Sequence, residues 1–363
     1  MRKPSVARSL SLLCIALCIG LLSRPSLGAS SPLSPVSASS SLPRYIDEYN
    51  VPTPSAGPLA ITVDTHGVVW FTESNASKIG RFDPTNQSFR EYAAPGVGDM
   101  WGITVDRAGY VWFTQYAGKG SVNPGGVVVG GGHGRLLRFS PVTGNITIID
   151  IPTVGSFPMR LVTDLRYRVW FTELLGNKIG LFDPSTNLLA EYTVPSNSSG
   201  PADLTFNDFT GILWFTETYS KQIGEFDAGN HKFTEYPLGA PNAAQIVTSP
   251  VGIALDAYGN LWTADHGGNW VVEFNPVSRS LVKYPTHFPP ANVFSISIPN
   301  GILADGKGRV WFSEHGGNSI GYVDPDSSQM VEFSIPTGPI STALWIALAP
   351  NVMCGLQNGK QTK

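Results

Sequence analysis

The chain has 363 residues, a formal net charge of −3 and only 14% charged residues. That balance removes the electrostatic case for nucleic acid or an anionic membrane as partner. With 39 Gly, 29 Pro and 11% aromatic residues, the composition points to a loop-rich, strand-rich globular protein rather than a helical or disordered one.

Residues 1–29 have the layout of an export signal. Arg2, Lys3 and Arg8 precede the apolar run Leu10–Leu22, and small residues follow to Ala29, with cleavage expected near Gly28–Ser30. The run falls short of the about 20 apolar residues a membrane helix needs, so no span is expected after signal removal. Cys14 and Cys18 lie inside this segment without a lipid-attachment motif, and Cys354 sits near the other end. The folded body therefore has no disulfide, and a core of this size needs none. Residues 30–43 form a Ser/Pro-rich linker with too little apolar surface to fold. The expected location is secreted, extracellular or at the cell surface.

From residue 44 to 350 the sequence repeats. A W-F-T-E motif recurs at Trp70, Trp112, Trp170, Trp214, Trp262 and Trp311, at intervals suited to four-stranded blades. In the first unit Leu59–Val63 reads as a strand and Asp64–Gly67 as a tight turn. Val68–Thr72 and Lys78–Phe82 follow as strands, Asp83–Asn86 as a second turn, and Phe89–Tyr92 as the outer strand. One blade cannot bury both faces of its sheet, so neighbours must stack on its Trp, Phe and Ile side chains. The fold class is all-β, a β-propeller.

Tyr45–Pro52 resembles an outer strand and precedes the first blade, while Ala343–Pro350 resembles an inner strand and follows the sixth. This predicts six complete blades and an incomplete seventh, its inner strand from the C-terminal part and its outer strand from the N-terminal part. Residues 351–363 lack the motif. Read from the third base of the Val codon, the codons of Val352–Gly359 permit Asn-Val-Trp-Phe-Thr-Glu-Trp. The expectation is a frameshift near Asn351 that removed the middle strands and left an aberrant tail.

The units V-W-F-T-E, N-K-I-G-R-F-D-P and F-x-E-Y-x-x-P, across Tyr45–Pro350, resemble those of the virginiamycin B lyase family. The resemblance implies a seven-bladed plan and a magnesium-assisted elimination that opens cyclic streptogramin B antibiotics. It also implies two catalytic His at the starts of the sixth and seventh inner strands, and a Glu after the W-F motif of blade seven. In this chain the two His positions are Asn300 and Leu344, and the Glu position is missing. Neither Asn nor Leu supplies the base or acid that elimination requires.

Within a repeat, a residue found in every blade serves the fold and a departure from the pattern is a candidate for function. Glu73, Glu173, Glu217 and Glu314 recur, with Gln115 and Asp265 in the same slot, which predicts acceptors at the ends of buried strands. Insertions fall in Gly118–Gly134, Ser196–Gly200, Leu238–Ser249 and Pro285–Pro299, all on one end of the ring. Elaborated loops on a rigid scaffold usually carry recognition. His66 and His231 belong to the opposite, tight-turn end and read as solvated surface. Trp101, Tyr116, His133, His266, His287, Asn300 and His315 map to the elaborated face and are the candidate ligand-binding residues. Asp265-His266 and Glu314-His315 each open a His-Gly-Gly-Asn stretch, a possible metal set with magnesium as the ion that the resemblance implies. The plainer reading of both stretches is turn chemistry, with Gly-Gly supplying unusual backbone angles.

These readings favour a monomeric secreted module that binds a small molecule or extracellular partner at the elaborated face. The competing reading is a metal-dependent carbon–oxygen lyase acting on a cyclic depsipeptide or related ester.

Overall fold

The computed structural model describes residues 46–96, 98–116, 132–239, 247–286, 297–336 and 342–349, together with the backbone of the strands Leu12–Gly20, Ser121–Val122, Val128–Val129 and Val352–Lys360. The fold is all-β, and the one helix among the described residues is a single 3-10 turn at Ser74–Ala76. Six antiparallel four-stranded blades follow the repeat. Their inner strands are Pro58–Val63, Asp99–Val105, Pro158–Thr163, Pro201–Asn207, Pro250–Leu255 and Pro299–Ala304. Successive inner strands pack side by side around a common axis.

The ring closes through a further sheet, and here the structure corrects the expected gap. Thr342–Ala349 packs between the inner strands of blades six and one, and Asp47–Asn50 is the outermost strand, as the sequence predicts. Between them lie Val352–Lys360 and Leu12–Gly20, paired with each other along their whole length. Six blades carry the repeat, rather than a seven-copy plan, and the closing sheet takes its middle strands from segments without the motif. An inner strand with an open edge presents unpaired N–H and C=O groups, and any extended segment can satisfy them.

The W-F-T-E strand is buried at every position in blade one, because adjacent blades cover both of its faces. Its Trp is anchored by an Asp six residues earlier. In five blades the indole N–H donates to that carboxylate: Trp70 to Asp64 (3.1 Å), Trp112 to Asp106 (2.8 Å), Trp170 to Asp164 (3.1 Å), Trp262 to Asp256 (2.9 Å) and Trp311 to Asp305 (2.9 Å). The other carboxylate oxygen accepts two N–H groups of the tight turn, so one side chain shapes the turn and fixes the core. Blade four departs: Asn207 accepts from Phe209 and Thr210 of a longer turn.

The Thr of the motif joins blades. Thr172 accepts the Arg160 N–H of its own inner strand and donates to the Ala202 carbonyl of the next blade. Thr216 and Ser313 do the same toward Val251 and Leu344. The glycine of N-K-I-G answers to the Phe of W-F-T-E. A Cβ on Gly80 would stand 2.1 Å from the Phe71 ring, and one on Gly224 the same distance from Phe215. In blade five the pair becomes Thr263 opposite Val272, moving the bulk from one strand to the other.

Candidate functional site

All inner strands begin on the face where the second strands end, and this face collects the candidate residues. At one register, one residue past the partner of the buried acid or amide, the inner strands rim the axis at this face with Leu59, Trp101, Met159, Ala202, Val251, Asn300 and, from the closing sheet, Leu344. The rim is apolar apart from Asn300 and the Trp101 indole, whose N–H is buried without a partner.

Asn300 and Leu344 are neighbours here. The Asn300 side-chain amide donates to the Leu344 carbonyl at 2.8 Å, and Asn300 is only 5% exposed. The same carbonyl also accepts from Ser313. Asn300 thus ties blade six to the closing strand.

The other candidates fall into separate groups. Trp101 and the fully buried Tyr116 each meet the Phe157 ring at a centroid distance of 5.1 Å. His133 is exposed toward the outer side of blade two, its Nδ1 3.1 Å from the Ile151 carbonyl. His287 lies outside the described residues. His266 and His315 come together from blades five and six, with ring centroids 5.9 Å apart and planes at 57°. Each follows the buried acid of its blade and is anchored by its main chain, His266 N–H to Ser249 O and His315 N–H to Ile298 O, both at 2.9 Å. Burial holds both imidazoles below the usual histidine range, His315 at about 4, with His266 adding to its shift. His315 Nδ1 is buried without a partner.

The four-residue metal set read from sequence does not assemble. Asp265 Oδ1 accepts from Thr248 N–H, Thr248 Oγ1 and Ser249 N–H, closing the loop ahead of blade five. Its other oxygen lies beneath Gly268, where a Cβ would stand 2.0 Å away. Glu314 accepts from Ser319 and lies likewise beneath Gly317. Among the described residues no group of three or more His, Cys, Asp or Glu could hold a metal ion. Magnesium demands near-octahedral oxygen ligation, and the oxygens here are turned into the turns. The glycines of His-Gly-Gly-Asn also have a different task from the one expected. The left-handed residues are Asn269 (φ 59°) and Asn318 (φ 54°), while Gly268 and Gly317 make room for a carboxyl.

The recurring acids are buried, but not as simple acceptors. Both oxygens of Glu73 and of Glu173 lack a well-formed hydrogen bond. Burial, and then an outer-strand glutamate, push Glu73, Glu173 and Glu314 up to about 8 and Glu217 up to about 7. The slot therefore takes a neutral carboxyl, or the neutral amide of Gln115. Blade five, with Asp265, places Lys283 where blades one, three, four and six place the outer glutamate.

One group escaped the sequence reading. At the next register of the inner strands, blades one, two, five and six carry Ala60, Gly102, Gly252 and Gly301. Blades three and four carry Arg160 and Asp203, and the closing strand carries Trp345. Arg160 Nε donates to Asp203 at 3.2 Å, and its guanidinium lies 4.1 Å from the Trp345 ring centroid on the far side of the axis. The signal was present as a departure from small residues in the repeat.

The sequence profile described as the virginiamycin B lyase family matches residues 132–354. No curated protein sequence matches the chain. Among solved structures, a streptogramin B lyase is 26% identical, with a TM-score of 0.70 over 87% of this chain and 98% of that one. The selenomethionine-substituted virginiamycin B lyase of Staphylococcus aureus is 25% identical, with a TM-score of 0.67 over 83% and 94%. A catalytically inactive histidine-to-alanine variant of the S. aureus enzyme, with quinupristin, shares the fold at 24% identity, with a TM-score of 0.67 over 82% and 94%. Among the described residues no helix is long and apolar enough to cross a membrane. With more than half of its length matched by the family profile and its blades superposing on these lyases, the chain belongs to the virginiamycin B lyase family.

Proposed function

We propose that this chain is a ligand-binding member of the family that does not carry out streptogramin elimination. One observation carries the reading: Asn300, at a position where the resemblance places a catalytic histidine, spends its amide on the Leu344 carbonyl at 2.8 Å. An elimination needs a group that accepts a proton at the reacting carbon and another that protonates the leaving oxygen. An amide already committed to a neighbouring strand does neither, and Leu344 has no titratable atom. The S. aureus relative loses activity when a histidine becomes alanine, so histidine chemistry matters in that protein.

What remains at the mouth suits binding. An apolar rim encloses a few oriented polar groups, the usual composition of a small-molecule site. The unpartnered Trp101 indole N–H and Arg160 Nη1 favour a ligand that brings hydrogen-bond acceptors.

Incubating the purified chain with quinupristin and magnesium, and following ring opening by mass spectrometry, tests the reading. The expected result is intact cyclic quinupristin. Metal-dependent linearisation would overturn the proposal and support the carbon–oxygen lyase reading, which rests on family membership.

A further inference from the structure

We propose that His266 and His315 form a two-imidazole site for a borderline divalent cation of the zinc, nickel or cobalt kind, and not for magnesium. This rests on the reading of the elaborated face as a binding surface, and deepens it by naming one ligand class.

The ring separation admits a single shared ion. With nitrogen about 2.1 Å from a zinc ion, a ring centroid lies roughly 3.2 Å from it, so two rings on one ion can stand up to ~6.4 Å apart. The observed 5.9 Å lies inside that limit, with the planes tilted by 57° rather than stacked. Two rings packed only for stacking have no need of equivalent places in successive blades. His266 and His315 each stand one residue beyond the buried acid, and each main chain is tied to the entry of its own blade. His315 Nδ1, buried and unpartnered, is an independent sign that the site lacks an acceptor for its proton or a cation for its lone pair.

The donor set decides the ion. Asp265 and Glu314 are fully buried while both imidazoles are partly exposed, so the side chains left to offer are nitrogen donors. Neutral imidazole suits zinc, nickel and copper, whereas magnesium keeps oxygen ligands and its waters. Two protein ligands leave the remaining positions to water or to a bound molecule.

Calorimetric titration of the full chain with zinc chloride, nickel chloride and magnesium chloride tests this directly. One zinc or nickel ion should bind per chain, with no saturable magnesium heat. His266→Ala and His315→Ala should each lower zinc affinity by more than the ~10–100-fold that loss of an outer-shell partner costs, and Glu314→Gln should leave it unchanged. Should a variant fold poorly, the unmutated chain still decides. Zinc should protect both histidines from diethyl pyrocarbonate, read by peptide mass spectrometry, while His66 stays reactive. Equal binding of magnesium, or zinc binding without protection of this pair, overturns the proposal. Neither result bears on quinupristin opening, so the two readings fail separately.

Discussion

In blade three the Glu173 carboxyl faces that of Glu191, which is ion-paired to Lys178 at 3.3 Å. Burial acts to raise Glu191, but hydrogen bonds from Thr153 and the Lys178 ammonium hold it below the ordinary glutamate range. For Glu173 the Lys178 charge also lowers the pKa, but it is outweighed. Burial, and then the Glu191 charge, push it up to about 8. Blade one repeats the arrangement with Glu73, Glu91, Lys78 and Thr53.

An acid whose folded pKa exceeds its unfolded value binds its proton more tightly when folded. Its contribution to stability is complete below about 4.5 and disappears as pH rises through about 8. With Glu73 and Glu173 both in this class, and Glu217 pushed up to about 7, the melting temperature is expected to fall between pH 5 and 9. Glu173→Gln, which copies the Gln115 of blade two, should flatten that fall. Differential scanning calorimetry of both proteins across this range checks it, and parallel curves would assign the slope to other groups.

The fold was legible because each blade must solve the same packing problem with the same few residues. Trp112 and its Asp106 could be placed without coordinates. The middle of the closing sheet could not, because Val352–Lys360 and Leu12–Gly20 carry no motif and pair through backbone groups available to any sequence. The site was legible in part. The approach of His266 to His315 follows from their shared register in adjacent blades. The loss of Asp265 and Glu314 as ligands depends on a side-chain direction that the sequence does not encode. The grouping of Arg160, Asp203 and Trp345 could not be read because it joins inner strands far apart in sequence across the axis.

Asp106 performs three tasks at once, accepting from Ala108 N–H, Tyr110 N–H and the Trp112 indole. Asp106→Ala should therefore cost about 3 kcal/mol, more than a single charged hydrogen bond. Asp106→Asn should cost less, since an Asn opens the corresponding, longer turn of blade four, where Asn207 accepts from Phe209 and Thr210. Urea unfolding curves of the two variants give the order, and equal losses would show that the negative charge itself is what matters.

In blade five, Thr263 and Val272 stand where blades one, three, four and six have Phe and Gly. Thr263→Phe alone should overpack against Val272 and destabilise by about 1–3 kcal/mol. Adding Val272→Gly opens the space that Gly80 and Gly224 open beneath Phe71 and Phe215. The double variant should recover most of the loss. A double-mutant cycle in urea measures the coupling, and simple additivity would mean that the two side chains do not share one volume.

Across the axis, Arg160 ties three inner strands that the chain leaves far apart in sequence. Its Nε pairs with Asp203, and its guanidinium lies over Trp345. Removing one partner of a buried pair leaves the other charge uncompensated, so Arg160→Met should cost on the order of 3–5 kcal/mol. Part of that loss is Asp203 deprived of its counterion, and Arg160→Met with Asp203→Asn should recover that part. Asp203 also accepts from the Leu204 and Ile253 N–H groups, joining blades four and five. If the double variant is no more stable than the single one, those backbone bonds rather than the ion pair are what Asp203 contributes. In that case the contact with Trp345 accounts for the Arg160 effect, and Trp345→Leu should reproduce it.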